Sequence, residues 1–106
     1  MKTLTEFKES LKLEEPIAGF PAQLRSLWYD GKGDWHKAHA QVDNETDQKS
    51  AWVHAYLHRK EVDIWNADYW YRRAGRRFHR ASLEEEWEAL VAGLTAASPG
   101  SETSED

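Results

Sequence analysis

Apolar residues recur at helical spacing along most of the chain, and the polar breaks between these stripes divide it into six predicted helices. Thr3 and Glu6 stand at the spacing of a capping box, and Leu4, Phe7 and Leu11 follow on one face. Glu14-Glu15-Pro16 predicts the end of this helix, because proline disfavours helical backbone in the residue before it. Leu24, Leu27 and Trp28 predict a helix over 21–30, which Gly31-Lys32-Gly33 breaks. Asp34 is placed to cap the next helix, where Trp35, Ala38, His39 and Val42 share a face. After the polar turn Asp43–Asp47, a helix from about Gln48 carries Val53, Tyr56 and Leu57. Asp63 caps a helix bearing Ala67, Trp70, Tyr71 and Ala74, and Gly75 suits its C-terminal end. Ser82 and Glu85 form a second capping box ahead of the stripe Leu83, Trp87, Leu90, Val91 and Leu94.

The four central helices contain an internal repeat. A shift of 29 residues lays Leu24, Leu27 and Trp28 on Val53, Tyr56 and Leu57, Asp34 on Asp63, and Ala38 on Ala67. The two alanines would let the second helix of each pair approach the first closely. Gly33 has no glycine counterpart, since Val62 stands in its place. The expected fold is therefore all-α: two helical hairpins flanked by an N-terminal and a C-terminal helix. It forms one domain over residues 1–97, and the acidic, polar stretch 98–106 is expected to be a disordered tail.

Composition narrows the functions open to such a fold. At 106 residues the chain can bury a modest core, and without cysteine it has no disulfide framework, thiolate ligand or thiol nucleophile. No apolar core of a signal peptide follows the N-terminus, and no apolar run approaches the roughly 20 residues that span a bilayer. The expectation is a cytoplasmic protein without membrane contact. Six Trp and four Tyr are many for this length, and most of them are expected to fill a small helical core. A net charge of −5 argues against general polyanion binding.

Two segments carry a resemblance. Ala67, Tyr71 and Ala74 follow the alanine–aromatic–alanine spacing of second helices in tetratricopeptide and Sel1-like repeats, while in the first hairpin Ala38 and Val42 fit it and Glu45 does not. More specifically, Ala51–Glu61 with Asn66–Gly75, and Trp28–Trp35 with Ala38-His39, resemble an uncharacterised family of small bacterial and fungal helical proteins. The likeness covers roughly the middle half of the chain, and the family usually has glycine where Val62 stands here. It implies the fold and the segment that matters, and it implies no activity.

The chemistry-bearing residues gather on the helix that starts near Gln48. Ala51, His54, His58 and Glu61 fall in one sector of its wheel, and His54 and His58 are i, i+4 neighbours able to touch one ligand. This pair spacing is the helical half of many zinc sites, yet Ala55-Tyr56-Leu57 lies between the histidines in place of the glutamate of H-E-x-x-H. A third ligand would be Glu61 or, from another helix, His39. Such pairs more often pack or hydrogen-bond than ligate a metal, so His54 and His58 are metal candidates only, and no cofactor is assigned. No nucleophile, oxyanion device or phosphate-binding glycine loop is legible, which leaves a small metal-dependent or acid–base enzyme using His54, His58 and Glu61 as the enzymatic alternative.

A basic run, Arg72, Arg73, Arg76, Arg77 and Arg80, follows Tyr69, Trp70 and Tyr71 and offers a nucleic-acid surface as a second alternative. Pairing of this run with Glu84, Glu85, Glu86 and Glu88 is the more economical expectation. Trp52 and Tyr69 fall off the main stripes and are expected either to contact a partner or to be covered by a flanking helix. The favoured expectation is a binding or interaction module. Its pocket is lined by His39, His54, His58, Glu61, Asn66, Trp70 and Arg73, for a small polar or anionic ligand or a partner segment.

Overall fold

A computed structural model describes residues 3–77 and 81–96, and among them the chain is wholly helical. The helices are α1 (Leu4–Ser10), α2 (Ala22–Gly31), α3 (Trp35–Val42), α4 (Gln48–Lys60), α5 (Ile64–Arg73) and α6 (Leu83–Ala96). The caps fall where the sequence places them. Thr3 and Glu6 close a reciprocal box, Asp34 and Asp63 accept from the backbone three residues on, and Ser82 pairs with Glu85; Asp47, expected only as the end of a turn, caps α4 in the same way. The expected tail 98–106, and His79 and Arg80 of the basic run, lie outside the described residues.

α1 ends earlier than its proline predicts. Leu11, Lys12 and Leu13 each bond the carbonyl three residues back, tightening the chain out of the α-helix. The carbonyls at this end are then taken by α2: the Trp28 indole N–H donates to Ser10 O at 3.0 Å, and Lys32 Nζ donates to Leu11 O and Leu13 O. The helix stops where another element satisfies its orphaned acceptors.

α2 packs against α3 and α4 against α5, forming two hairpins, with α1 and α6 covering them. Ala38 and Ala67 are both fully buried, as close approach within each hairpin requires. The 29-residue repeat extends to the backbone of the inter-helix turns. Lys32, Gly33 and Asp34 donate to Trp28, Asp30 and Tyr29 carbonyls; Glu61, Val62 and Asp63 donate to Leu57, Arg59 and His58 carbonyls. Both are Schellman turns that need a left-handed residue, which is Gly33 at φ +88° in one and Val62 at φ +64° in the other. The turn is therefore the same in both hairpins, although a β-branched side chain occupies the second.

The core joins Phe7, Phe20, Leu24, Leu27, Trp28, Val53, Leu57, Tyr71, Trp87, Leu90 and Val91. Indole N–H groups link helices across it: Trp28 to α1, Trp35 to Leu57 O of α4, Trp87 to Leu27 O of α2, and Trp52 to Glu86 of α6. Trp52 is covered by the C-terminal helix and takes no part in an exposed surface. Two carboxylates lie inside. Glu86, fully buried, accepts from Trp52 Nε1, Tyr71 Oη at 2.5 Å and Arg59 Nη1 at 2.6 Å. Asp30 accepts from Tyr56 Oη at 2.6 Å and Lys60 Nζ at 2.8 Å.

Val62 gives a direct test of the turn. Its side chain is 78% exposed, so little packing is lost on removing it. A left-handed L-residue costs roughly 1–2 kcal/mol, of which glycine's greater unfolded entropy returns part. Val62→Gly is expected to stabilise the protein by about 1 kcal/mol in urea unfolding; a loss of stability would mean that the turn is not strained.

Candidate functional site

The repeat sets the frame for the site. α3 is the second helix of the first hairpin and α4 the first of the second, so their contact is the junction between repeats. The Asp34 cap and the buried Ala38 fix the register of α3, which aims His39 at α4. On α4, His54 and His58 occupy successive turns of the same side, with ring planes 6° apart and centroids separated by 5.4 Å. His39 stands nearly edge-on to both, with centroids at 4.6 Å from His54 and 5.3 Å from His58. One ligating nitrogen from each of the three imidazoles lies within 4.8 Å of the other two.

Each ring has a distinct environment. His54 is 2% exposed; its Nε2 is 2.9 Å from His39 Nε2, and one of the pair carries the shared proton. Among the described residues His54 Nδ1 has no hydrogen-bond partner. His58 is half-buried, and its Nδ1 donates to Glu61 Oε1 at 3.0 Å, with Asp63 Oδ2 at 3.9 Å. Two indoles flank the group: Trp70 stacks on His54 with centroids 4.1 Å apart, and Trp35 stacks on His39 at 5.0 Å. Burial, and then the proximity of His39 and His58, pushes the His54 pKa down to about 4. Burial also lowers that of His39.

Not every expected lining residue reaches the imidazoles. His39, His54 and His58 meet, Glu61 touches His58, and Trp70 covers His54. Asn66 instead binds the capping Asp63 through Nδ2 at 2.7 Å, so it serves the start of α5. Arg73 rests over the Trp70 and Tyr69 rings at 5.3 and 5.8 Å from their centroids, on the outer side of the indole. Trp35 belongs to the site as well; its position four residues before His39 was the signal for it.

Part of the basic run finds partners within the chain other than the α6 glutamates. Among the described residues Arg72 pairs with Asp68 at 3.0 Å, Arg76 lies 3.4 Å over the Trp52 ring, and Glu86 is occupied by Arg59. Glu88 is taken by Lys8 at 2.6 Å. Arg72, Arg73 and Arg76 thus find aromatic or local partners, and Glu86 and Glu88 of α6 are paired with cations outside the run. On the outer face of α5, Tyr69 is 45% exposed and stacks with Trp65, which is 77% exposed.

No match appears among protein-family models, curated proteins or solved structures. No helix among the described residues is long and apolar enough to cross a membrane.

The buried imidazole should be visible in the pH dependence of stability. His54 keeps a pKa near 4 when folded and returns toward 6.5 when unfolded, so the unfolded chain takes up the proton first as pH falls. This linkage has no effect above pH 6.5 and destabilises the fold progressively as pH falls from about 6.5 to 4, by up to roughly 3 kcal/mol. Urea unfolding of chelator-treated protein between pH 4 and 7 should show this slope, and His54→Leu should flatten it. An unchanged slope in the variant would contradict the burial of a neutral ring.

Proposed function

We infer that the protein is a binding module, and that its site is the imidazole cluster at the junction of the two hairpins. The observation that carries this is the convergence of His39, His54 and His58 within 4.8 Å at their ligating atoms. Trp35 and Trp70 hold two of the rings in place by stacking, and Glu61 orients the third. The tetratricopeptide-like character of the hairpins is part of the same proposal: a repeated turn and a repeated small residue support it, and the junction of two such repeats is a natural place for a ligand. The occupant is small, because nitrogens this close together leave no room between them for an organic molecule.

The enzymatic alternative receives less support. His54, held neutral well below pH 7, is unsuited to act as a general acid near neutral pH. The nucleic-acid alternative is weakened by the Asp68 partner of Arg72 and the net charge of −5.

The fold has little use for His54. A buried ring nitrogen without a partner costs about 1–3 kcal/mol, and leucine would occupy a similar volume without that penalty. Residues retained for binding commonly lower stability in this way. His54→Leu is therefore expected to raise the unfolding free energy at pH 7 by about 1 kcal/mol. A loss of 2 kcal/mol or more would identify the cluster as a structural core and defeat the assignment.

A further inference from the structure

We propose that His39, His54 and His58 coordinate a single divalent transition-metal ion, with Glu61 fixing the orientation of the His58 ring from outside the coordination sphere. The proposal rests on the assignment of the cluster as the binding site and names its occupant.

Geometry supplies the first argument. At metal–nitrogen distances of about 2.0–2.1 Å, nitrogens in a tetrahedral shell lie about 3.3 Å apart. His39 Nε2 and His54 Nε2 are 2.9 Å apart, joined by one hydrogen, and one ring nitrogen of His58 lies within 4.8 Å of a ring nitrogen of each. An ion in that space requires a few tenths of an ångström of opening between the first two rings and a small inward turn of the third.

The donor set supplies the second. Three imidazoles favour the zinc, copper and nickel class over magnesium or calcium, which take oxygen. Ligating histidines almost always give their other ring N–H to a carboxylate, carbonyl or water. His58 already does so, with Nδ1 on Glu61, which leaves Nε2 as its free lone pair.

Location supplies the third. The ligands come from two different helices, α3 and α4, each packed against its neighbour, so the site is preformed. Stacking on Trp35 and Trp70 holds two of the rings at fixed angles. Coordination needs no net loss of protons from the cluster: when a metal takes both Nε2 lone pairs, the proton between His39 and His54 moves to a ring Nδ1 and both rings stay neutral. Three protein ligands leave a fourth position for water or an exogenous anion.

The test is titration of full-length, tag-free, chelator-treated protein with cobalt(II), alongside His39→Ala and Glu61→Gln. His39 is half-buried, so its truncation should leave the far-UV circular dichroism intact. The expected result is one cobalt per chain, with the intense visible bands of a low-coordinate ion, displaced by zinc. His39→Ala should weaken binding at least 100-fold with the fold retained, and Glu61→Gln should weaken it roughly 10- to 100-fold. Absence of the bands, or binding that survives His39→Ala, overturns the metal assignment. In that event, perturbation of the three imidazole NMR signals by inorganic phosphate would leave the cluster as a binding site with a different ligand. Silence toward phosphate, combined with destabilisation in His54→Leu, would remove both the metal and the site.

Discussion

The middle of helix α4 is buried around its whole circumference, and the rest of the structure is arranged to satisfy it. Eight consecutive residues, Ser50 to Leu57, are buried, so this stretch of α4 has no solvent side on which to place polar groups. Each polar side chain it carries must find a partner on a neighbouring helix. Trp52 and Arg59 reach Glu86 of α6, and Tyr56 and Lys60 reach Asp30 of α2. His54 and His58 face His39 of α3. On two sides the neighbouring helix brings a carboxylate; on the third it brings another imidazole.

That contrast separates networks that hold the fold from one that serves something else. Glu86 accepts from three donors and Asp30 from two, so both buried charges are compensated by hydrogen bonds from cations and phenols. Burial, and then the Asp30 charge, hold the Tyr56 phenol far above its ordinary pKa, so it remains a donor. The imidazole cluster has no such closure. It contains no carboxylate between the rings, Glu61 lies at its edge, and one nitrogen of its most buried member is unpartnered.

Much of the fold was legible because short-range chemistry decides it. Helix starts follow from Thr3, Asp34, Asp63 and Ser82, whose side chains cap locally whatever the tertiary context. The repeat was visible because each hairpin needs the same apolar stripe, the same capping aspartate and the same buried alanine. The end of α1 was not, since it depends on Trp28 and Lys32 arriving from another helix. The role of Glu86 was hidden in a run of glutamates that reads as a solvated face. Its spacing, three residues after Leu83 and four before Leu90, puts it on the apolar stripe, and that was the available signal. At the site, the i, i+4 histidine pair and the inward face of His39 were legible. Asn66 and Arg73 were misplaced because their distances along the helix do not reveal that Asp63 and the Trp70 face intercept them.

The repeat also explains why there is one such site and not two. At the 29-residue offset, Arg25 corresponds to His54, Tyr29 to His58, and Asp68 to His39. Arg25 bonds Gln41 and Phe20 O, and Asp68 bonds Arg72, so the equivalent positions make ordinary polar contacts. The three histidines stand on the two helices that face each other across the repeat junction, and their counterparts stand on the two that do not pack together, α2 and α5. A duplicated hairpin thus supplies two copies of each position but only one internal junction. Histidines at these positions of the two hairpins can meet only there, across the contact of α3 with α4.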